Sequence, residues 1–574
     1  MTRFKKTMAC LMSVALSASM IASAVFQPAA LDNWSSIQND FTKVTLAPGS
    51  DSSELNFAWY SAENGTPYVQ IVQQGESFDT AEAYEGYSTS AYNDTQASVQ
   101  YYSNKVTVTG LSEDTSYKYR YRVGDGQWSA EYNYKTQNLT DGLSFIAVGD
   151  PQIGIGNGGS EADTERWENT LSLATDIAPN ASFIYSMGDQ VDSNQEYGQY
   201  AGFLYPSVLR ELPIATTIGN HDCDVPNFQW HFNNPNMTSY GETSAGGDYY
   251  FSYGDVLFIN LNSNAVLKSS KSPSAIAVEH RKAIEDAIES NPYAKWRIVT
   301  FHHDIYGYPD HYDDAEVSEC RELLYPIIDD YDIDVVLTGH GHNFTRSFQM
   351  QNNEPVDSSD MFMQPNVTVD NPSGTVYFEL STAASKNYEN NKPGSNAHIA
   401  NSFAVNSVQS FSVVNITNDS FSIETYRTDT MEIYDSYTIN KDDRTKLDKA
   451  IEEAQAIIDS GKYTEDELTE LNEALQTALS VPADCDLTTA YDAAVALDKV
   501  IKSFDPVLYG DANGDGDVMI NDCILILKYA VGLAEMTPSQ LKAANVTHDE
   551  DGTVNIADAI KIQKYLVYAI DSLD

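Results

Sequence analysis

The segment Thr338-Gly339-His340-Gly341-His342-Asn343 directly follows the apolar run Ile333-Asp334-Val335-Val336-Leu337. An apolar run that ends in small and imidazole-bearing residues is typical of a buried strand that presents ligands at the edge of a sheet. Glycines on both sides of His340 let the backbone approach whatever the imidazoles hold. Because core and solvated histidines are more common than ligands, the meaning of this pair depends on the rest of the chain.

Four upstream segments repeat the pattern of an apolar run followed by acidic, amide or imidazole side chains. These segments end in Gly149-Asp150-Pro151-Gln152, Gly188-Asp189-Gln190-Val191-Asp192, Gly219-Asn220-His221-Asp222 and His302-His303-Asp304. Eight of the ten histidines fall between His221 and His342, which indicates a shared use. Since apolar runs alternate with helical stretches here, we expect α/β layers whose strand ends form one site.

Composition limits the possible partners. A chain of 574 residues is too long for one hydrophobic core and favours roughly three to five domains. Its 33 basic and 83 acidic residues give a formal charge of -50, which argues against nucleic acid as the main partner. The charge fits a secreted protein, or one that neutralises carboxylates with divalent cations.

The N-terminus has the pattern of an export signal. Lys5 and Lys6 precede an apolar segment, and Ala22-Ser23-Ala24 has the form of a cleavage site. The apolar segment is broken by serines and is shorter than the roughly 20 residues that a membrane span needs. We therefore expect residues 1–24 to be a signal peptide and the mature protein to be secreted and extracellular, without a membrane span.

Residues 38–138 show alternating apolar and polar positions. The alternation is longest from Thr115 to Val123, where tyrosines share one face, and Gly124-Asp125-Gly126 then turns the chain. This pattern predicts an all-β sandwich. No catalytic constellation appears in it, so we expect a packing or spacer domain, with a role in shaping the active-site entrance as the alternative.

Residues 441–505 are acidic and helical in pattern. Leu447, Ile451, Ala454 and Ile458 recur at helical spacing, and two further amphipathic segments follow. The segment resembles a small three-helix repeat of surface proteins in Gram-positive bacteria. We interpret it as a three-helix spacer.

Residues 506–574 contain two candidate calcium loops. In the first loop, oxygen-bearing side chains occupy positions 1, 3, 5 and 12, with glycine at position 6, as in an EF-hand. The second loop departs from the pattern, because Thr547 stands at position 1 when Asp551 is placed at position 5. The candidate calcium ligands are Asp511, Asn513, Asp515, Asp522, Asp549, Asp551 and Asp558.

Each calcium loop is followed by a helical pattern, and the whole segment resembles a type I dockerin. That resemblance implies an all-α module that binds calcium and docks on the cohesin of a scaffoldin, so that the protein would be associated with a cellulosome. The alternative is a calcium loop that only stabilises the tail.

The residues at the five strand ends form a ligand set for two metal ions. Carboxylate, amide and neutral imidazole groups suit manganese, iron, zinc or cobalt rather than magnesium alone. One carboxylate would bridge the ions and lower the pKa of a shared water. The ligand candidates from this pattern are Asp150, Asp189, Asn220, His302, His340 and His342.

The five motifs, ending in Gly339 to Arg346 (GHGHNFTR), resemble the calcineurin-like metallophosphoesterase family, and within it the purple acid phosphatases. Gly110-Leu111 and Tyr117-Lys118-Tyr119 resemble the fibronectin type III-like domain that precedes the catalytic domain of those phosphatases. The resemblance implies a four-layer α/β sandwich over residues 143–437, with two divalent or trivalent ions of iron, manganese or zinc.

The resemblance also assigns roles to residues. Asp189 would bridge two ligand sets, which are Asp150, Gln152 and His342 on one ion and Asn220, His302 and His340 on the other. His221, beside Asp222, would protonate the leaving alkoxide, and His311 would contact the substrate, with His303 as a second candidate. The remaining histidines are expected on the surface or in loops: His231, His280, His398 and His548.

Two positions depart from the family pattern. Gln152 stands where most members carry histidine, so one ion would have an amide ligand or a weaker site. Asp192 stands where purple acid phosphatases place a tyrosinate on ferric iron, which favours manganese, zinc or ferrous iron and predicts no purple colour.

These inferences together predict a secreted phosphatase in which a metal-bridging hydroxide attacks phosphate monoesters of small molecules. A dockerin would tether it to a cellulosome. The alternatives are a phosphodiesterase of the same fold and a non-catalytic module that binds phosphate or glycan.

Overall fold

The computed structural model describes most of the chain from residue 33 onward. The described residues are 33–95, 97–307, 309–385, 397–403, 408–441, 444–460, 463, 468–482, 485, 487–501, 509–514, 518–534, 536, 538–547, 553–566, 570 and 573. The predicted signal peptide, residues 1–24, lies outside them. No helix within these ranges is long and apolar enough to cross a membrane.

A β-sandwich forms the N-terminal domain. It follows the short helix α1 (Trp34–Ile37), and a 3-10 turn at Phe78–Thr80 connects two of its strands. The strands are β1 (Thr45–Pro48), β2 (Leu55–Ser61), β3 (Pro67–Gln73), β4 (Tyr84–Glu85), β5 (Tyr87–Asp94), β6 (Val99–Val108), β7 (Ser116–Val123) and β8 (Tyr132–Lys135). Among the described residues they form two antiparallel sheets, ordered β1-β2-β6-β5 and β4-β3-β7-β8. Alternate side chains, such as Phe57, Val106 and Tyr119, are buried between the sheets, so the predicted β-sandwich is confirmed.

The sandwich packs directly on the domain that follows it. The Thr45 hydroxyl donates to the carbonyl of His231 at 2.7 Å, and the Tyr119 hydroxyl donates to the carbonyl of Arg210 at 2.7 Å. The His231 ring stacks on Tyr200 with 4.1 Å between ring centroids. The expectation of a surface position for His231 was therefore wrong: burial lowers its pKa to about 3 and keeps the ring neutral in this interface.

The second domain alternates strands and helices, as the apolar runs predicted. Its helices are α2 (Gly159–Ile177), α3 (Tyr197–Phe203), α4 (Asn227–His231), α5 (Ala265–Lys268), α6 (Pro273–Ser290), α7 (Pro309–Tyr312) and α8 (Ala315–Asp330), with a 3-10 turn at Ser207–Arg210. Its strands are β9 (Leu143–Val148), β10 (Ile184–Ser186), β11 (Ile214–Thr216), β12 (Tyr249–Tyr253), β13 (Val256–Asn260), β14 (Trp296–Thr300), β15 (Val335–Thr338), β16 (Phe344–Gln351), β17 (Glu354–Pro355), β18 (Asn366–Asp370), β19 (Thr375–Glu379), β20 (Ile399–Phe403), β21 (Ser410–Ile416), β22 (Ser420–Arg427) and β23 (Ile433–Asn440).

Two mixed sheets carry these strands. Over the described residues, one sheet runs β11-β10-β9-β21-β22-β23-β18 and the other runs β12-β13-β14-β15-β19-β16-β17, with β20 beside β16. Strands β9, β10 and β11 are mutually parallel, and so are β13, β14, β15 and β19. Parallel neighbours bring their carboxyl ends to the same edge of a sheet, which is where the five motifs lie.

The two sheets face each other across one apolar core, and helices cover their outer faces. Phe145 of one sheet and Phe258 of the other lie 5.4 Å apart between ring centroids within that core. Trp167 of α2 packs on the outer face of the first sheet, and Ile284 of α6 packs on the outer face of the second. This helix–sheet–sheet–helix arrangement confirms the predicted α/β domain.

One histidine of α6 is buried against expectation. His280, predicted at the surface or in a loop, is fully buried, and its Nδ1 lies 2.8 Å from the Asp248 carboxylate. Asp248 is 32 residues away in the chain and also accepts from the backbone N–H of Asn262. A buried imidazole is stable when it has such a partner, and no local pattern reveals that partner.

Three helices follow the second domain: α9 (Thr445–Asp459), α10 (Thr469–Leu479) and α11 (Leu487–Ile501). Leu447, Leu471 and Leu497 lie in their shared core. The Tyr491 hydroxyl donates to the carbonyl of Ala294 at 2.5 Å, which fixes α11 to the preceding domain. The assignment of this segment as a spacer stays a prediction.

The last helices are α12 (Ile520–Ala530), α13 (Pro538–Ala544) and α14 (Ile556–Leu566). Cys523, Ile526 and Ile562 are buried between them. Of the candidate calcium ligands, Asp515, Asp549 and Asp551 lie outside the described residues.

Candidate functional site

The carboxyl ends of five parallel strands meet at one edge of the facing sheets. Strands β9, β10 and β11 of one sheet lead into the first three motifs, and β14 and β15 of the other sheet lead into the last two. The ligand candidates that follow these strands are almost completely buried, apart from Asn220. A crevice at the carboxyl ends of parallel strands is the usual ligand site of such a fold.

Five of the predicted ligands have a left-handed backbone. Residues other than glycine rarely take a positive φ, because their Cβ approaches the backbone carbonyl. The five are Asp150 (φ 30°), Gln152 (φ 33°), Asp189 (φ 45°), His340 (φ 76°) and His342 (φ 57°). Such strain persists only where surrounding structure holds it, and it gathers at functional sites.

Two glycines allow the ligands to come this close. A Cβ at Gly219 would overlap the Asp189 carboxylate, and a Cβ at Gly339 would overlap the Asp150 carboxylate. These contacts explain why small residues flank the motifs, as the His340 segment indicated from sequence.

His302 lies between the two acidic ligands. Its Nε2 is 3.5 Å from Asp189 Oδ2, and its Nδ1 is 3.9 Å from Asp150 Oδ1. The Nδ1 N–H donates to the Met187 carbonyl at 2.9 Å, which fixes the ring orientation so that Nε2 faces Asp189. One ligand atom from each of Asp150, Asp189 and His302 lies within 4.8 Å of the others, a spacing that a metal ion can close.

The side-chain oxygen of Asn220 joins the imidazoles of the second predicted ligand set. It lies 2.8 Å from His302 Nε2 and 3.1 Å from His340 Nδ1. The structure therefore brings together Asn220, His302 and His340 next to Asp189.

The other predicted ligand set surrounds Asp150. Its carboxylate accepts from the backbone N–H of His340 at 2.9 Å and lies 3.8 Å from His342 Nε2. The Gln152 Oε1 atom is buried and has no hydrogen-bond partner among the described residues. An unpaired buried acceptor costs free energy, and a cation would relieve that cost.

Electrostatics also favours positive charge here. Burial and the neighbouring Asp189 raise the pKa of Asp150 well above its ordinary value. Although burial opposes it, the charges of Asp189 and Asp150 raise the pKa of His302 to about 10. Burial and the nearby imidazoles lower the pKa of His340 well below its ordinary value, so its ring is neutral.

The residues present therefore fit a pair of transition-metal ions. Carboxylate, amide oxygen and neutral imidazole groups are suitable donors for such ions. In the absence of the ions, only bound protons would balance the negative charge of the buried carboxylates of Asp150 and Asp189. Asp150, Gln152 and His342 would hold one ion, Asn220, His302 and His340 the other, and Asp189 would contact both.

The predicted acid catalyst, His221, lies at the rim of this cluster. Its Nδ1 N–H donates to the Asp192 carbonyl at 2.6 Å, and its Nε2 is 4.0 Å from Asp189 Oδ2. Asp222 instead accepts from the backbone N–H groups of Gly219 and Gln190, and burial together with Asp189 raises its pKa to about 7. Asp192 supplies the direct contact to the His221 ring, while Asp222 braces the loop, and the catalytic role of Asp222 stays a prediction.

His311, the predicted substrate contact, also reaches the site. Its ring centroid is 5.2 Å from that of His340, and its Nδ1 is 2.8 Å from the Asp314 carboxylate. Glu316, in the first turn of α8, approaches within 3.8 Å of His340 Nε2. Sequence reasoning missed Glu316 because no strand-end motif marks it. Arg346 is engaged in a buried ion pair with Asp435, which supports a structural role.

Comparisons with known proteins agree with this geometry. Residues 143–344 match the model of the calcineurin-like phosphoesterase family, and residues 41–136 match that of the purple acid phosphatase N-terminal domain. Two uncharacterized proteins of Mycobacterium tuberculosis are each 23% identical to this chain, over 52% of it and 60% of their own length. The chain thus spans about 60% of the length of these curated relatives.

A solved structure has a similar fold. The purple acid phosphatase PPD1 from yellow lupin (Lupinus luteus) seeds superposes with a TM-score of 0.54, over 70% of this chain and 74% of that chain, at 16% identity. At this identity the likeness shows the fold alone. The matched ranges, residues 143–344 and 41–136, correspond to the α/β domain that carries the five motifs and to the β-sandwich that precedes it.

The unpaired amide oxygen gives a test of the ligand set. Gln152→Leu should weaken one of two bound ions at least about tenfold, because it removes a ligand. The same change should leave the thermal unfolding temperature of the metal-free protein unchanged or higher, because it removes a buried acceptor that has no partner. Metal titration and thermal unfolding measure the two effects.

Gln190→Leu is the matched control, because the Gln190 amide is bonded to Ser186 and Thr217. Its loss should lower the unfolding temperature of the metal-free protein. A Gln152→Leu protein that binds both ions normally and unfolds at a lower temperature would contradict the assignment.

Proposed function

We propose that this protein hydrolyses phosphate monoesters at the five strand ends, using two transition-metal ions. One observation carries the proposal: two donor sets meet at the single carboxylate of Asp189, and a protonatable imidazole, His221, stands at their rim. Such ions, when bound, would activate a water molecule and offset the charge of the phosphoryl oxygens.

The chain orients the ligands before any substrate arrives. The Met187 carbonyl holds the His302 ring, and the backbone N–H of His221 donates to Asp189 Oδ1 at 2.9 Å. Preorganised groups of this kind lose little freedom when the reaction begins, which favours catalysis over simple binding. This supports an enzyme over a non-catalytic phosphate-binding module.

His221 would supply the proton that the leaving group needs. Its Nδ1 N–H is committed to the Asp192 carbonyl, so the proton available for transfer is the one on Nε2, on the side of Asp189. The ring is about one third exposed, and a leaving group can therefore reach it from solvent. Although burial opposes it, the charge of Asp189 raises the pKa of His221, which favours the protonated form that a general acid requires.

Hydrolysis of an aryl phosphate tests this proposal. With manganese or zinc added, the wild-type protein should release the phenol, and Asp189→Ala should reduce the rate to background because both ions lose a ligand. Asp224→Ala is the control, since Asp224 lies just beyond the Gly219–Asp222 motif, is exposed and forms a surface ion pair with Lys268. Equal rates for the wild-type protein and Asp189→Ala would refute the proposal, and faster turnover of a bis-aryl phosphate would favour a phosphodiesterase.

We also propose that residues 506–574 bind calcium and tether a secreted enzyme to the cohesin of a scaffoldin. The last acids of the two loops, Asp522 and Asp558, are both fully buried. Asp522 accepts from the backbone N–H groups of Asn513 and Met519 at 2.9 and 2.7 Å. Asp558 accepts from the backbone N–H groups of Thr547 and Asn555 at 2.9 and 2.8 Å, so the last acid of the second loop also holds the two ends of its loop together.

The surface of this segment supports docking. Ile520 and Ile556 begin helices α12 and α14, and each is 52% exposed. One turn later, Ile524 and Ile560 are 44% and 45% exposed. Paired apolar side chains at matching positions of two helices form an exposed patch that fits a protein partner.

Cohesin binding by the full chain tests the tether. Binding should require calcium, and the double variant Ile524→Asp, Ile560→Asp should lose it because the charges face the partner. Leu479→Asp is the control, an exposed apolar side chain of the three-helix segment. Binding that persists in a chelator, or that the double variant retains, would refute the tether and leave the phosphatase proposal untouched.

A further inference from the structure

Two more donor groups, those of His303 and Glu316, converge on the far side of the His340 ring. One ligand atom from each of His303, Glu316 and His340 lies within 4.8 Å of the others, and Glu316 Oε1 is 3.8 Å from His340 Nε2. Neither His303 nor Glu316 belongs to the two ligand sets of the strand ends. The cluster therefore needs its own explanation.

His303 directs an unpaired nitrogen into this cluster. Its Nδ1 lies 2.8 Å from the Ser263 hydroxyl, while its buried Nε2 has no hydrogen-bond partner among the described residues. The ring is fully buried. A neutral ring whose Nδ1 donates to Ser263 presents its Nε2 lone pair, as a metal-ligating histidine does.

His340 contributes its other face. Its Nδ1 points to Asn220 at 3.1 Å, and its Nε2 lies on the opposite side of the ring, buried and without a hydrogen bond within the described part of the chain. Two unpaired buried ring nitrogens at one place are costly unless something binds them.

Glu316 completes the cluster and connects it to solvent. It lies in the first turn of α8, and its side chain is 43% exposed. It adds a carboxylate to the two imidazoles and leaves a path by which an ion can enter. Two imidazole nitrogens and one carboxylate oxygen form a known ligand set for zinc, with a fourth position left for water.

We propose that His303, Glu316 and His340 form an accessory site for a zinc-like transition-metal ion, beside the two ions of the strand ends. The donor types favour zinc, copper or cobalt over calcium or magnesium, which prefer oxygen ligands. His340 presents one nitrogen to each place, and a neutral ring carries a lone pair on only one of them. An ion on Nε2 therefore competes with an ion on Nδ1 for this ring, and both can bind together only if the ring releases its remaining N–H proton to solvent. The ring centroid of His311, the predicted substrate contact, lies 5.2 Å from that of His340. An ion in the accessory site therefore also occupies space next to the predicted substrate-binding residue. Excess zinc is therefore an inhibitor that acts through this site.

Zinc titration of the full chain tests the site. The protein is freed of transition metals, kept in calcium to occupy the C-terminal loops, and titrated with Zn²⁺ by calorimetry, with bound metal counted by elemental analysis. The wild-type protein should bind one equivalent more than Glu316→Gln, or bind that equivalent at least about tenfold more tightly. Glu319→Gln, an exposed acid on the same helix, should match the wild-type protein.

His303→Gln is the second variant and should lose the same equivalent. Identical zinc stoichiometry and affinity in the wild-type protein and Glu316→Gln would overturn the proposal. So would a Glu316→Gln protein that keeps every equivalent but binds the ions of the strand ends more weakly, because Glu316 would then only position His340. The titration counts bound ions and does not measure turnover. The accessory-site proposal can therefore be refuted in a protein that hydrolyses phosphate esters, or supported in a protein that does not.

Discussion

The structure depends on one electrostatic constraint, which is the burial of Asp150 and Asp189 beside each other at the carboxyl ends of adjacent parallel strands. Neither carboxylate is stable there without compensating positive charge, because the interior cannot solvate it. The left-handed backbone at the ligands, the glycines beside them and the orientation of His302 all serve to bring compensating groups within reach. Metal ions satisfy this requirement better than protons do, since they also use the neutral His340 and the unpaired oxygen of Gln152.

The parts that sequence predicted well share a physical cause. Apolar runs mark buried strands, and the residues that follow a parallel strand lie at the ligand-binding edge of the sheet. The location of Asp150, Asn220 and His302 at that edge was therefore predictable from the sequence. Contacts made by loops and by distant helices were not predictable. Asp192 rather than Asp222 holds the His221 ring, and Glu316 reaches the site from a helix with no motif. The burial of His231 and His280 depends on partners far away in sequence.

The three-helix segment contacts the second domain at the ends of the strands opposite the ligands. Ala294 and Lys295, which contact helix α11, directly precede strand β14, and Asp332, which pairs with Lys446 of helix α9, precedes strand β15. These contacts lie at the amino ends of strands whose carboxyl ends carry the ligands.

Anomalous scattering from crystals grown with manganese as the only transition metal tests the central claim most directly. The account predicts two peaks that share Asp189, one beside Asp150 and His342, and the other beside Asn220 and His302. A single peak, or peaks that avoid Asp189, would contradict it.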